Sequence, residues 1–186
     1  MRIGGGEFRG RILHTPSGDA TRPTSGMVRE TLFNILTPLL PEARILDLYA
    51  GSGSVGLEAL SRGAAYAVFC ENAHSALKCL KQSITELELE DYTETLPIDV
   101  NRALEQLSKS GEKFDIIFLD PPFADVEAYN KVLEQVGLTL SILAAGGLCV
   151  AQHYRRVRLP DAYGLLSRTR VRDIGDNVLT FYRLKE

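Results

Sequence analysis

The ten residues Phe114–Phe123, Phe-Asp-Ile-Ile-Phe-Leu-Asp-Pro-Pro-Phe, restrict the possible folds of this chain more than any other stretch. Ile116–Leu119 is an unbroken apolar run of strand formers, the pattern of a strand covered on both faces, and such strands belong to parallel sheets sandwiched between helices. The run stops at Asp120-Pro121-Pro122. Proline has no N–H for a sheet ladder and drives the residue before it towards extended geometry, so Asp120 and Pro121 occupy a stiff, non-helical segment at the strand's end. Open α/β sheets receive their ligands at that end. A carboxylate and a main-chain carbonyl there can each accept a hydrogen bond from a ring-borne NH2 group, turning its lone pair towards an electrophile, while Phe123 stacks on the ring. By itself the stretch reads equally as a strand and a proline turn with Phe123 in the core.

A second stretch narrows the chemistry. Arg44–Ala50 reads as a strand running into Gly51-Ser-Gly-Ser-Val-Gly56, the strand, glycine turn and helix start that bring backbone N–H groups close to a nucleotide. The spacing also suits a dinucleotide, but Asp47 stands four residues before the first glycine, where an acid repels a pyrophosphate and attracts a cation. S-adenosylmethionine carries both an ammonium and a sulfonium. The next strand, Tyr66–Cys70, delivers Glu71, where an acid can take both hydroxyls of a ribose or simply favour the dipole of a following helix. A short strand over Thr93–Ile98 presents Asp99, which can accept from an adenine amine, cap the helix expected over Val100–Leu107, or do both.

The remaining pattern is one of strands alternating with helices. Val28, Leu32, Ile35 and Leu36 predict an amphipathic helix begun near Ser25 and ended by Pro38, with Arg29 off its apolar stripe. Leu77, Leu80, Ile84 and Leu87 mark another, and Val126, Tyr129, Val132, Leu133 and Val136 a third. Gly146 and Gly147 mark a turn before a strand over Leu148–Ala151. Arg168–Ile174 and Val178–Leu184, joined by Gly175-Asp-Asn177, read as a closing hairpin. The fold class is therefore α/β, with a mostly parallel sheet and an antiparallel C-terminal end. Its 186 residues suit one domain with a small appendage.

That appendage is the N-terminal segment, which reads as a bent β-ribbon with Arg9 and Arg11 on one face, followed by a loop that carries Arg22. Net charge over the whole chain is −3, but it divides into +2 over residues 1–44, −9 over 45–150 and +4 over 151–186. An acidic middle between basic ends fits a catalytic domain flanked by segments that meet a polyanion, although solvated faces can carry such an asymmetry too. Cys70, Cys79 and Cys149 sit in apolar segments without metal-ligand spacing, and His14, His74 and His153 are scattered, so neither a metal nor a cysteine nucleophile is assigned. With no long apolar run and no signal-peptide pattern, a cytoplasmic location is expected.

Together, Asp47-Leu-Tyr-Ala-Gly-Ser-Gly-Ser-Val-Gly56, Glu71, Asp99 and Asp120-Pro-Pro-Phe123 resemble the motifs of class I S-adenosylmethionine-dependent methyltransferases that act on exocyclic amines of bases. Arg2–Arg11, Arg22-Pro-Thr24 and Val28-Arg-Glu-Thr-Leu-Phe33 are similar to one branch, the RsmD-type enzymes that modify guanine N2 in small-subunit (16S) ribosomal RNA. The resemblance covers essentially the whole chain. It implies a seven-stranded Rossmann-like sheet with a small N-terminal β-ribbon, an RNA-contacting segment 1–24, a methyltransferase domain 25–186 and a monomer. It also implies S-adenosylmethionine as cofactor and 16S ribosomal RNA or the small ribosomal subunit as partner. The cofactor residues it implies are Asp47, Tyr49, Ala50, Gly51, Ser52, Gly53, Gly56, Glu71, Asn72, Asp99 and Asp120. Asp120, Pro121, Pro122 and Phe123 are the implied catalytic set, and Arg2, Arg9, Arg11, Arg22 and Arg29 the implied RNA contacts. An adenine-N6 or protein-glutamine methyltransferase would share the catalytic motif, though the latter usually resembles Asn at position 120. A nicotinamide-dependent dehydrogenase or a non-catalytic nucleotide-binding module is the alternative of another class.

Overall fold

Strand β4 (Phe114–Leu119) is buried on both faces: Ile116 and Phe118 join one apolar cluster, Ile117 and Leu119 the other. β1 (Arg44–Leu48) divides in the same way, with Ile45 on the first side and Leu46 and Leu48 on the second. Because successive side chains point to opposite faces, an all-apolar strand needs cover on both sides, and helices supply it here. The computed structural model describes residues 1–16, 26–122, 126–139 and 142–185, with side chains 138 and 139 left aside.

The helices on the first face are α1 (Gly26–Leu36), α2 (Ser54–Ser61) and α3 (His74–Glu86). On the second face lie α4 (Val100–Ser110) and α5 (Val126–Glu134), the latter continued by a π-helical turn over Gln135–Thr139. The periodic leucines, isoleucines and valines named above are mostly buried as expected, but Val126 is exposed.

The sheet order is β3-β2-β1-β4-β5-β8-β7-β6, where β2 is Tyr66–Cys70, β3 Thr93–Leu96, β5 Leu143–Tyr154, β6 Ala162–Tyr163, β7 Leu166–Ile174 and β8 Asn177–Leu184. β1 to β5 run parallel, and β8, β7 and β6 are antiparallel additions. The sheet thus has eight strands rather than the seven expected. The extra one is the two-residue β6, too short to carry a period-two signal. Gly146 and Gly147 lie inside β5 rather than in a turn before it. The β4–β5 register shifts between Phe114 and Ile116, and a Cβ on Gly147 would stand 2.8 Å from the Ala144 carbonyl, so the glycine pair accommodates a local irregularity in a continuous strand.

The N-terminal ribbon is minimal. One antiparallel bridge, Arg2 with Ile12, is supported by Ile3 N–H to the Arg11 carbonyl at 3.0 Å and Leu13 N–H to the Met1 carbonyl at 2.7 Å. Ile3 and Leu13 enter the same apolar cluster as α1 and α2, so the segment is built into the core of the α/β fold. It is also pinned to α2: Glu7 N–H donates to the Ser61 carbonyl at 2.7 Å, and Gly4 N–H to Glu58 at 3.2 Å.

This docking corrects the expectation for Arg29, which is buried rather than part of an exposed basic surface. Its Nε lies 2.8 Å from the buried Glu58 carboxylate, and another of its nitrogens donates to the Arg2 carbonyl at 2.6 Å. Arg62 occupies the other Glu58 oxygen at 2.7 Å. Arg29→Ala removes one partner from a buried carboxylate that keeps another, so we expect a loss of about 2 kcal/mol, below that of a fully broken buried pair. Urea unfolding measures it, and wild-type stability in the variant would contradict this account.

Candidate active site

All the predicted acids arrive at one end of the sheet because their strands are parallel. Asp47 is the penultimate residue of β1, Glu71 follows β2, Asp120 follows β4, and Asp99 stands three residues past β3. β1 pairs with β2 on one side and β4 on the other, so chain order reverses between β1 and β4 and a crevice opens beyond their tips.

The glycine turn lines this crevice. Tyr49 has φ 61°, a left-handed conformation that costs a non-glycine residue on the order of 1 kcal/mol. The bend is held by Ala50 N–H donating to the Cys70 carbonyl at 2.9 Å and Gly53 N–H to the Ala50 carbonyl at 2.8 Å. Ser52 is half-buried within the turn, and Gly53 is the N-cap residue of α2. The glycines differ in purpose. A Cβ on Gly56 would stand 2.3 Å from Phe69 Cε1, so that glycine lets α2 pack on β2. Gly51, at φ 57°, faces open space, where a ligand can approach the backbone.

Glu71 bridges the turn to the next helix. One carboxylate oxygen accepts from Gly51 N–H at 2.8 Å, the other from Ala73 N–H at 2.7 Å, ahead of α3. Each oxygen retains a lone pair for a further donor. Asn72 beside it is exposed. Asp99 caps α4, accepting from Asn101 N–H at 2.9 Å and from the Asn101 amide at 3.0 Å. The Asn101 side chain, then the backbone N–H groups, hold its carboxyl below the usual range despite some desolvation. Capping leaves its exposed carboxylate accessible from solvent, so the cap does not preclude a ligand contact.

Asp47 and Asp120 differ from these. Asp47 accepts from Gly56 N–H at 3.0 Å and is buried. Burial pushes its carboxyl up to about 7, against the Gly56 hydrogen bond and with help from the charges of Asp120 and Glu71. Desolvation likewise raises Asp120 to about 7. Two carboxyls held near neutrality at adjacent strand tips form a site that a cation would stabilise strongly in its ionised form. Pro121 is buried and Pro122 exposed. Phe123 and Arg22 lie outside the described residues.

Arg2, Arg9 and Arg11 are exposed on the N-terminal segment; Arg2 donates to the Gly10 carbonyl at 2.9 Å and Arg11 to the Glu86 carbonyl at 2.9 Å. One residue at the crevice escaped the sequence reading. Gln152, near the end of β5, donates through Nε2 to Asp120 Oδ2 at 2.9 Å. Its only sequence signal is a polar pair, Gln152-His153, closing the apolar run that begins at Leu148.

Comparison with known proteins shows the family and the fold. The profile of the family described as "Conserved hypothetical protein 95" matches residues 1–183. "Putative rRNA methyltransferase YlbH" of Bacillus subtilis (strain 168) is 36% identical over 183 residues, covering 98% of each chain. "Ribosomal RNA small subunit methyltransferase D" of Escherichia coli (strain K12) is 41% identical over 123 residues, 66% of this chain and 60% of that one. A solved structure, "Putative methyltransferase yhhF from Escherichia coli", superposes with a TM-score of 0.86 at 31% identity, covering 100% of this chain and 98% of its own. With its acids gathered at the switch point of a mostly parallel sheet and a family match along nearly its whole length, the chain belongs to the conserved hypothetical protein 95, or RsmD-type, family and has the Rossmann-like class I methyltransferase fold.

Proposed function

We propose that this protein transfers a methyl group from S-adenosylmethionine to the exocyclic N2 amine of a guanine in 16S ribosomal RNA, presented on a small-subunit particle. The observation that carries this reading is the pair at neighbouring strand tips, Asp47 buried and Asp120 half-buried, with desolvation raising both to about 7. The relatives named for ribosomal RNA methyltransferases supply the substrate class.

The residues present fit the cofactor. Gly51 leaves room for it, Glu71 has acceptor capacity for two ribose hydroxyls, Asp47 suits its ammonium, and Asp99 can accept from the adenine amine beside its helix cap. When bound, S-adenosylmethionine supplies an electrophilic methyl on a sulfonium. The protein's task is to orient the amine, whose lone pair is conjugated with the ring and poorly nucleophilic. Asp120 accepts one N–H and the Pro121 carbonyl a second, which aligns the lone pair; burial around Asp120 keeps water from competing for those hydrogen bonds. The proton lost on methylation leaves the amine for Asp120 or for solvent. Segment 1–24, with exposed Arg2, Arg9 and Arg11, faces the RNA in this reading, while Asn72 and Phe123 complete the cofactor and base contacts.

Small subunits from cells lacking the enzyme are the substrate for the test. N2-methylguanosine, identified by mass spectrometry of the nucleosides, is the expected product, and methyladenosine would overturn the guanine assignment. Glu71→Ala should weaken S-adenosylmethionine binding by about ten- to a hundredfold, the loss of a charge-assisted contact of about 1.5 to 3 kcal/mol. Calorimetric titration checks it; unchanged affinity would remove Glu71 from the cofactor site.

A further inference from the structure

We propose that Gln152 is the residue that selects guanine, its side-chain oxygen accepting the ring N1–H while Asp120 accepts from the N2 amine. The inference rests on the guanine reading above and assigns the specificity of that site.

Three observations carry it. The β4–β5 register pairs Leu119 with Ala151, which sets Gln152 beside Asp120 just beyond the end of β4. Gln152 is only 6% exposed, and its Nε2 donates to Asp120 Oδ2 at 2.9 Å. Its Oε1 is buried and has no hydrogen-bond partner among the described residues. Buried acceptors are nearly always satisfied, so an orphan beside a catalytic carboxylate calls for a ligand donor. The residue is also held from the other face of the sheet: the Tyr129 hydroxyl donates to the Gln152 carbonyl at 2.7 Å.

The electrostatics determine which base fits. An ionised carboxylate only accepts hydrogen bonds, so Asp120 requires the NH2 end of the Gln152 amide to face it and leaves Oε1 as the neighbouring group. Asp120 and Gln152 together therefore offer two acceptors side by side to a base that reaches them. Guanine offers two donors in a row on its Watson–Crick edge, the N2 amine and N1–H. Adenine offers its amine next to an acceptor, ring N1. Turning the amide to suit adenine would bring Oε1 against the Asp120 carboxylate, so the carboxylate locks Gln152 in the orientation that rejects adenine.

The test uses 2,6-diaminopurine, which keeps the N2 amine but has an acceptor at N1. Small subunits are assembled from ribosomal RNA carrying either guanine or 2,6-diaminopurine at the modified position. Wild type should prefer guanine by roughly ten- to a hundredfold in kcat/KM, as expected for a buried acceptor left facing another acceptor. Gln152→Met, of similar shape but without the acceptor, should lose guanine activity while narrowing that preference to within about threefold. Its S-adenosylmethionine affinity should stay at the wild-type value, which establishes that the variant is folded. Equal use of the two bases by wild type would overturn the proposal, a readout that depends on no variant folding. An undiminished preference in Gln152→Met would overturn it as well, locating the discrimination elsewhere on the base. Methylation of adenine instead of guanine by wild type would overturn the guanine reading itself and is distinguishable from both.

Discussion

Asp120→Ala should lower turnover by about 10²- to 10³-fold, the loss expected on removing one preorganised polar contact at a reacting group. Affinity for S-adenosylmethionine should change little, because Glu71, Gly51 and Asp47 remain. The magnitude follows from position: Asp120 follows β4 at the crevice, and water in the vacated space would be a mobile substitute for an oriented acceptor. Asp120→Asn keeps the shape and deletes the charge, so it should also be impaired, though by less than Ala.

The pH dependence provides a second signature. Burial raises the Asp120 carboxyl to about 7, so without cofactor the ionised acceptor prevails only above that value. Turnover should therefore rise with pH and level off by the neutral region, with a midpoint below 7 at saturating cofactor, because the bound cation favours the ionised form. The Asn variant, with nothing to ionise at this position, should be flatter there. Near-normal turnover by Asp120→Ala would remove this strand tip from the mechanism, and an identical pH profile in Asp120→Asn would assign the ionisation to another group.

Asp47→Asn is expected to trade cofactor binding for stability. The folded Asp47 carboxyl is raised to about 7 against an ordinary value of 3.8. Between those values the folded chain binds a proton that the unfolded chain has released, so stability falls as pH rises through the window. The full effect is present above pH 7 and absent below 3.8, with an upper bound on the order of 4 kcal/mol. Asparagine can still accept from Gly56 N–H but never ionises. At pH 8 the variant should therefore be more stable by about 2 kcal/mol, discounting half of the upper bound for the amide's own NH2 group, which must find a partner. Because the cost of the amide NH2 does not depend on pH, the difference should reverse near pH 4, with the variant less stable by about 2 kcal/mol. Loss of the negative charge should weaken S-adenosylmethionine by about ten- to a hundredfold over the same comparison. Denaturant titrations at the two pH values, with calorimetry at pH 8, check both halves. A variant that is less stable at pH 8, or that binds the cofactor as tightly as wild type, would contradict the assigned role of this buried charge.

Much of the architecture was legible in sequence because it rests on local chemistry. The run Ile116–Leu119 could only be a strand covered on both faces, and prolines could only end it. The Gly51–Gly56 spacing placed a turn between β1 and α2, and Gly175-Asp-Asn177 placed the last hairpin. Since β1 to β4 are parallel, knowing that each acid lies at or just past the C-terminal end of its strand was enough to bring Asp47, Glu71, Asp99 and Asp120 to one end of the sheet.

What the sequence could not supply came from contacts between distant segments. Arg29 lies off the apolar stripe of α1 yet is buried, because the N-terminal segment and Glu58 of α2 close over it. Its burial depends on residue 58, beyond the reach of any helical periodicity. β6 is two residues long and exists only through pairing with β7. Gln152 meets Asp120 across 32 positions of chain because β5 lies next to β4 in a particular register. The charge state of the site belongs to the same category. Asp47 and Asp120 have ordinary acid side chains, and desolvation by the assembled sheet and helices raises both to about 7. Hydrophobic period and turn chemistry act within a few residues and can be read along the chain, whereas desolvation, register and ion pairing act through space and are decided only when the layers close.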